Sequence, residues 1–270
     1  MKMQLHDRYA DDAAMQTFVR TLPDAFDQTG EVLYAKRNTI RRMTVGPTAV
    51  VVKRFKRPHL AQALYYSTFG RSKARRAFLF GQELLRRGID TPTPIAFVET
   101  KCCGILRQSY YICGEDNNLP IRTLLHRPEG FDRPLARAFA QFAATLHGKG
   151  VLHGDLNSTN TLYRQCDDGT YAFSVIDINR MKFYPADTLP PLDECLENLT
   201  RFTGDMQLFG IVAYFYADTM AQRFGIDRQT LIDKAVATKM RHDERWRKRK
   251  SFLKKLKRKS APKSPTQPQQ

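Results

Sequence analysis

Three side chains with metal-binding or proton-accepting oxygens stand at spacings that suit phosphoryl transfer. Asp155 lies in residues 153–160, which read H-G-D-L-N-S-T-N, and Asn160 follows it by five positions. Asp177 comes seventeen residues after Asn160 and ends an apolar, strand-like run, residues 171–176. Transfer from ATP needs one carboxylate to orient the attacking hydroxyl and two oxygen ligands to hold Mg²⁺ on the phosphates. The pattern therefore predicts a phosphotransferase.

An alternative interpretation is that Asp155 and Asn160 cap helices in an ordinary turn. That interpretation does not account for His153 and Asp177, which stand in register with them. Kinases place a catalytic Asp and a metal-binding Asn in an H-x-D-x-x-x-x-N loop, with a second metal-binding Asp after a later strand. We therefore favour kinase chemistry.

Composition excludes several other classes of protein. The chain has 270 residues and 42% hydrophobic residues, enough for one two-lobed domain or two small ones. The first 21 residues have no uninterrupted apolar core, so a secretory signal is not expected. The longest apolar run, residues 208–217, is about half of what a membrane-spanning helix needs. Five cysteines without C-x-x-C spacing indicate reduced thiols in the cytoplasm, and six scattered histidines indicate no zinc site.

The elements that must position these residues divide into a strand-rich first third and a helix-rich remainder. Strands are predicted at 32–45, 49–55, 95–99 and 105–113, and helices at 71–87, 131–149, 205–219 and 226–256. Residues 183–199 are predicted to form a loop. The fold class is therefore α+β, with a small β-rich N-lobe at 1–114, a helical C-lobe at 115–240, and a basic amphipathic or disordered tail at 241–270.

The order of these elements resembles the protein-kinase-like superfamily. Within it, three further segments resemble the lipopolysaccharide kinase family, which contains 3-deoxy-manno-octulosonate (Kdo) kinases and WaaP-type heptose kinases. They are V-V-V-K-R-F-K at 50–56, G-I-D-T-P-T-P at 88–94 and V-I-D-I-N-R at 175–180. The resemblance covers roughly residues 30 to 220 and implies a two-lobed kinase fold that uses ATP and Mg²⁺ as cofactors.

The resemblance also implies roles for individual residues. Asp155 would be the catalytic residue that orients the acceptor hydroxyl, while Asn160 and Asp177 would hold Mg²⁺. Lys53 would bind the α- and β-phosphates. Adenine would lie against residues 109–113 and the hinge at 114–120.

Supporting residues are implied in the same way. His153 is expected to brace the catalytic loop. Asp205 is expected to hydrogen-bond that loop's backbone, to cap its own helix, or both. Asn157 stands where many protein kinases carry a lysine that reaches the γ-phosphate. Arg180 stands where a basic residue follows the metal-binding Asp in lipopolysaccharide kinases, and a contact with a substrate phosphate is one role open to it.

Two positions depart from the pattern of the superfamily. No G-x-G-x-x-G precedes Lys53, so a different hairpin is expected to cover the phosphates. Kinases also pair the strand lysine with a glutamate from the first N-lobe helix, and that position holds Leu79 here. Glu83, one turn later, is the only acid in that helix. Either Glu83 takes the role or the pair is missing.

The tail carries a large share of the net charge of +17. Residues 241–270 hold twelve Lys/Arg and two acids, a net of +10. Trp246, Leu253 and Leu256 give this basic segment a narrow apolar stripe, which suits the surface of an anionic inner membrane. A solvated tail and nucleic-acid binding are the alternatives, although no motif predicts a specific nucleic acid.

Together these features predict a kinase, cytoplasmic and peripheral to the inner membrane, that phosphorylates a sugar hydroxyl of the lipopolysaccharide inner core. The acceptor would be a lipid-linked sugar, Kdo first and heptose second. An atypical serine/threonine protein kinase is one alternative, although no A-P-E segment follows Asp177. A nucleotide-binding membrane scaffold without catalysis is another, and a small-molecule kinase of the aminoglycoside type is a third.

Overall fold

A computed structural model describes residues 1–125 and 130–259. Its first part is one antiparallel sheet of six strands in the spatial order β1-β5-β6-β4-β3-β2. The strands are β1 (Lys2–Leu5), β2 (Glu31–Ala35), β3 (Thr39–Val45), β4 (Thr48–Arg54), β5 (Pro94–Cys102) and β6 (Ile105–Gly114). The predicted strand 32–45 is therefore two strands, joined by a turn at 36–38.

The sheet has an apolar layer on each face. Along β6, Tyr110 and Ile112 pack with the first helix, α1 (Ala13–Ala25), whereas Tyr111 and Cys113 pack with α3 (Lys73–Arg86). Side chains alternate between the two faces of a strand, so one strand can serve both layers. A short helix, α2 (Leu60–Thr68), lies between β4 and α3 and contacts β6.

The second part is mainly helical. Its helices are α4 (Arg122–Leu125), α5 (Arg133–Gly148), α6 (Leu192–Leu199), α7 (Met206–Phe224) and α8 (Arg228–Lys259). Short strands complete it: β7 (Leu119–Pro120), β9 (Thr161–Gln165) and β10 (Tyr171–Val175) in one sheet, and β8 (Val151–Leu152) with β11 (Lys182–Phe183) in another. Helices α5 and α7 pack together as the centre of this part. The predicted β-rich and helical parts are thereby confirmed.

Two predictions in the second part need correction or extension. Residues 192–199 form helix α6, although the prolines around them predicted a loop. The predicted tail boundary at 240/241 falls inside α8, which packs on α6 and α7 through buried Leu231 and Ala235 and is exposed from residue 244 to residue 253. The predicted disorder at 261–270 lies outside the described residues. None of the helices in the described ranges is long and apolar enough to cross a bilayer.

Candidate active site

The predicted catalytic loop, residues 153–160, begins where β8 ends, and His153 holds it in position. Its ring is fully buried, and Nδ1 accepts a hydrogen bond from the Asp155 N–H at 3.3 Å. Nε2 lies 3.0 Å from the Ile176 carbonyl, so the ring proton is on Nε2. Burial lowers the pKa of His153 to about 4, which keeps the ring neutral. His153 thus joins the loop to the strand that leads to Asp177.

Gly154 allows the loop to make its sharp turn. Its φ is +73°, and a Cβ atom there would lie 2.6 Å from the Arg180 carbonyl oxygen. The Gly154 N–H donates to Asn198 Oδ1 at 2.9 Å. Asn198 Nδ2 in turn donates to buried His147 Nε2 at 2.9 Å. A residue with a side chain would need both loop segments to move apart.

The Asp155 carboxylate has one polar neighbour at each oxygen. Asn157 Nδ2 donates to Oδ1 at 3.2 Å, and Arg180 Nη1 donates to Oδ2 at 3.2 Å. Asn160 Nδ2 donates to the Asp155 carbonyl at 3.0 Å, so the side-chain oxygen of Asn160 is the atom that could meet the predicted metal ion. The side chain of Asp155 is 27% exposed and so can meet a hydroxyl from solvent. This is the arrangement expected of a carboxylate that orients a nucleophile.

Asn157 shapes the loop. Its Oδ1 accepts the N–H groups of Thr159 at 2.9 Å and Asn160 at 3.0 Å. These bonds make a tight polar turn that fixes the position of Asn160 relative to Asp155. In these contacts Asn157 supports the loop from within, which differs from the phosphate-binding lysine found at its position in many protein kinases.

Asp177 follows β10 in a left-handed conformation, with φ of 57°. Its Oδ1 lies 2.6 Å from Lys53 Nζ and accepts from Asn179 Nδ2 at 2.7 Å. Burial acts to raise the pKa of Asp177, but the charge and hydrogen bond of Lys53 outweigh it, and the pKa is lowered. The structure thus brings Lys53 and Asp177 together although 124 residues separate them in sequence.

The predicted metal ligands fit Mg²⁺ held mainly by nucleotide. Asp177 and Asn160 offer hard oxygens, and the Asn160 carbonyl accepts the Ile176 N–H at 2.9 Å, which brings the two segments side by side. Within residues 1–125 and 130–259, no group of three or more His, Cys, Asp or Glu could form a complete metal site. Mg²⁺ on ATP needs only one or two protein oxygens because phosphates and water supply the others.

Glu83 has partners other than Lys53. Its carboxylate accepts hydrogen bonds from Arg86 at 2.7 Å and from Arg87 at 2.6 Å. Hydrogen bonds from Arg86 and then from Arg87 outweigh burial and lower the pKa of Glu83 to about 2. Arg87 also donates to the carbonyls of Lys149 and Tyr184, which lie on either side of the catalytic loop. These contacts argue against a pair between Glu83 and Lys53 and give Glu83 a role between α3 and the second part.

Two supporting residues were missed from the sequence. Asn198 holds the loop backbone at Gly154, which was one of the two roles open to Asp205. Asp205 takes the other role and caps α7 by accepting the Gln207 and Leu208 N–H groups. Lys73, at the start of α3, lies close to the site. Burial first, and then the charges of nearby arginines including Arg180, lower its pKa. Neither residue belongs to a motif that sequence alone could detect.

The predicted hinge is anchored to the strand before Asp177. Asp116 Oδ1 accepts the Asn118 N–H at 2.8 Å, and Asp116 Oδ2 accepts from Ser174 Oγ at 2.6 Å. The Gly114 N–H donates to the Thr93 carbonyl at 2.9 Å. Contacts with adenine at 109–113 and 114–120 stay a prediction.

Comparison with known proteins agrees with this geometry. The model of the lipopolysaccharide kinase (Kdo/WaaP) family matches residues 37–186. No curated protein matches the sequence. A solved structure described as WaaP in complex with acyl carrier protein is similar at 14% identity and a TM-score of 0.55, over 88% of this chain and 98% of that one. The likeness confirms the protein-kinase-like fold.

A second solved structure is more distant. It is the Rio2 kinase–ADP/Mg²⁺–phosphoaspartate complex from Chaetomium thermophilum, at 15% identity and a TM-score of 0.44. The match covers 86% of this chain and 77% of that one. We draw no argument from it.

Proposed function

The chain belongs to the lipopolysaccharide kinase (Kdo/WaaP) family, and on that premise we propose that it transfers the γ-phosphoryl group of ATP to a sugar hydroxyl of the lipopolysaccharide inner core. Kdo is the first choice of acceptor and heptose the second. The observation that carries the proposal is that the contacts described above bring Asp155, Asn160, Asp177 and Lys53 together at one place in the fold.

Each of these residues has a physical task in the proposed reaction. Asp155 orients the sugar hydroxyl and receives its proton as the oxygen attacks the γ-phosphorus. Lys53 places a positive charge at the phosphates, and Asn160 and Asp177 hold Mg²⁺. When bound, Mg²⁺ offsets the negative charge that spreads over the transferred group and the leaving ADP.

Arg180 restrains Asp155 before the acceptor arrives. Its guanidinium lies 3.2 Å from Asp155 Oδ2 and is about half exposed. An exposed ion pair contributes about 0 to 1 kcal/mol, so an acceptor can displace it at small cost. The freed guanidinium is then available to an anionic group of the acceptor.

We further propose that the enzyme works at the cytoplasmic face of the inner membrane, where its acceptor is linked to lipid. The exposed end of α8 supports this proposal, since Trp246, Phe252 and Leu253 are about half exposed among cationic neighbours. Such a segment suits an anionic surface. The similar WaaP structure contains acyl carrier protein, so that protein is the alternative partner to test.

The test is transfer of labelled γ-phosphate from ATP to Kdo-lipid A in mixed micelles. We expect label in the lipid, and a loss of rate of roughly 10²- to 10⁴-fold in Asp155→Asn with ATP binding retained. Asp167→Asn, at an exposed loop position, is the matched control and should keep full activity.

The other outcomes separate the alternatives. Label in protein alone would indicate a protein kinase. Label in a heptose acceptor but not in Kdo would reverse the order of the two sugars. Tight ATP binding without transfer to any acceptor would refute the enzyme proposal and favour a scaffold.

A further inference from the structure

Helix α2 has its apolar side turned outward. Of its nine residues, only Ala63 is buried. The large apolar side chains of this segment are exposed, and together they define the α2 face: Leu60 at 68%, Leu64 at 45%, Tyr65 at 57% and Phe69 at 89%. A surface helix ordinarily buries its large apolar residues and exposes its polar ones. Here the large apolar residues are exposed together with polar Gln62 and Thr68.

Polar contacts, and not apolar burial, hold α2 on the sheet. Ser67 Oγ accepts the Leu106 N–H at 2.8 Å, and Lys101 Nζ lies 3.4 Å from the Ser67 carbonyl. Residues 60–69 contain no charged side chain. A helix of nine residues is marginal in water, so its stability depends on what it packs against. The α2 face is therefore left for a partner with an apolar interior.

A cationic cavity adjoins the start of α2. It has a volume of about 440 Å³, and it is lined by five basic side chains and one acid, Asp27. The basic side chains, here called the cationic rim, are Arg37, Arg54, Lys56, Arg57 and Arg107. Asp27 is paired with Arg54 at 2.6 Å, which leaves four cations of the rim unmatched by an acid of the cavity. Arg57 lies three residues before Leu60, so the cavity adjoins the first residue of the α2 face.

The surrounding sequence shows what charge the partner carries. Residues 32–82 contain twelve Lys/Arg and no Asp or Glu. A second copy of the chain would bring the same positive charge onto this surface and would be repelled. An anionic bilayer offers both features that the surface lacks, namely phosphates for the cationic rim and hydrocarbon for the α2 face.

We propose that the α2 face and the cationic rim form a membrane-docking site for anionic phospholipids, in which the rim binds lipid phosphates while Leu64, Tyr65 and Phe69 enter the acyl region. This site is separate from the tail of α8 and lies in the part of the molecule that carries Lys53. The inference rests on the proposed function, because an enzyme with a lipid-linked acceptor must hold its cleft close to the membrane.

The first test uses fluorescence in the full-length protein. Trp246 is the single tryptophan, so Trp246→Phe combined with Phe69→Trp moves the indole to the α2 face. Vesicles of phosphatidylglycerol and phosphatidylcholine with brominated acyl chains should lower the fluorescence of that indole at least about twofold. Bromine on the acyl chains quenches only indoles that enter the acyl layer. The matched probe Trp246→Phe with Leu33→Trp, on exposed strand β2, should not be quenched.

The second test measures vesicle binding. Leu64→Gln with Tyr65→Gln should lower the vesicle partition coefficient at least about tenfold, because two large apolar side chains no longer leave water. Leu33→Gln with Tyr34→Gln is the matched control, since Leu33 and Tyr34 are 43% and 44% exposed, and its binding should stay near that of the unmodified protein. High salt should weaken binding of every variant, but it should preserve the difference between the two pairs.

Three results would overturn the proposal: no quenching at position 69, equal loss of binding in the two pairs, or quenching by acyl carrier protein without any by vesicles. None of these readouts depends on phosphoryl transfer. Failure of docking with transfer to soluble acceptors intact would therefore leave the proposed function standing. Vesicle binding without phosphoryl transfer to any acceptor would support the membrane-docking site and refute the proposed enzymatic function.

Discussion

Two opposing effects act on the pKa of the Asp177 carboxyl group. Burial disfavours its charge, whereas Lys53 at 2.6 Å favours it more strongly. The pair is only partly covered, because the Lys53 and Asp177 side chains are 15% and 38% exposed. Both groups are therefore accessible from solvent, as the proposed binding of phosphates by Lys53 and of a cation by Asp177 requires.

Lys53→Met should remove the largest of the effects that lower the pKa of Asp177. Burial would then be opposed only by the weaker effects of His153 and Arg180, so the pKa of Asp177 should rise, and the phosphates would lose their cation. We expect ATP affinity to fall about 10- to 100-fold, the range for losing a charged hydrogen bond. Calorimetric titration with ATP and Mg²⁺ measures this. Lys101→Met, at an exposed position, is the control, and equal affinity in both variants would contradict the role of Lys53.

The buried ring of His147 predicts a pH dependence of stability. Burial lowers the pKa of His147 to about 3, from an ordinary value of 6.5. Below pH 6.5 the unfolded chain binds a proton that the folded chain excludes, so stability is lost as pH falls. This residue alone should remove about 1.4 kcal/mol per pH unit once the pH is well below 6.5. Urea unfolding between pH 7 and 5 tests this.

The matched control for His147 is an exposed ring. His147→Gln should flatten the pH slope by about one proton, whereas exposed His59→Gln should leave the slope unchanged. Buried His153, whose pKa is also lowered, should supply a slope that remains in His147→Gln. A slope equal to that of the unmodified protein would contradict the role of His147.

At the scale of elements, α3 is the link between the two parts of the molecule. Its first turn carries Lys73 beside the site, and its last turn carries Glu83, whose partner Arg87 donates to carbonyls on both sides of the catalytic loop. Gly81, in the middle, lets α3 approach Pro94 and Ile178 closely. Movement of α3 would therefore be transmitted to Asp155 and Asp177.

Glu83→Gln should destabilise the fold without weakening ATP binding. The pKa of Glu83 is about 2 when folded and 4.5 ordinarily, so its stabilisation is present above pH 4.5 and is lost as pH falls toward 2. We expect a loss of about 1 to 2 kcal/mol at pH 7, less than the full linkage because solvent screens the pair. Urea unfolding and ATP titration measure the two effects, with Glu31→Gln, in an exposed pair, as control.

Some of these elements could be predicted from sequence patterns and others could not. Most strands of the sheet, α3, α5 and α7 were predictable because their apolar patterns are long and their ends carry Gly or Asp signals. Strand β1 and helices α1 and α2 were not predicted. The turn at 36–38 was missed because Lys-Arg-Asn carries neither Gly nor Pro. Helix α6 was missed because its prolines lie just before it and were interpreted as loop residues.

The residues of the candidate site likewise divide into those that the sequence predicts and those that it does not. Motif spacing selects Asp155, Asn160, Asp177 and Lys53, and the structure brings these four residues together, while their roles stay a prediction. Asn198 and Lys73 were not predictable, because their roles come from tertiary contacts across many residues. For Glu83, proximity in sequence to the expected position was misleading: the nearest cations lie on its own helix, and i,i+3 and i,i+4 pairs form there first.

For the whole molecule, the charge is sharply divided. Residues 32–82 carry +12 and residues 241–270 carry +10, so the other residues carry −5 of the net +17. The electrostatic field of an anionic surface should orient a molecule with this charge distribution before the two make contact. We expect both basic segments to contribute to membrane attachment.

Replacement of three tail cations should test this asymmetry. Arg247→Gln, Arg249→Gln and Lys250→Gln together should weaken binding to anionic vesicles about 100-fold, because each contributes about 1 kcal/mol near the surface. Replacing Arg8, Arg20 and Arg164 by Gln changes net charge equally at exposed positions outside both basic segments. Vesicle sedimentation at low salt compares the two, and equal losses would show that only net charge matters.

The contact between Gly154 and Arg180 restricts how this sequence can evolve. Protein kinases carry Arg where this loop has Gly154, yet any side chain here meets a carbonyl oxygen at 2.6 Å while the backbone holds φ at +73°. A single inherited change from Gly to Arg would break the loop before any compensating shift of the neighbouring segment could arise. The glycine is therefore expected to persist among descendants that keep this backbone.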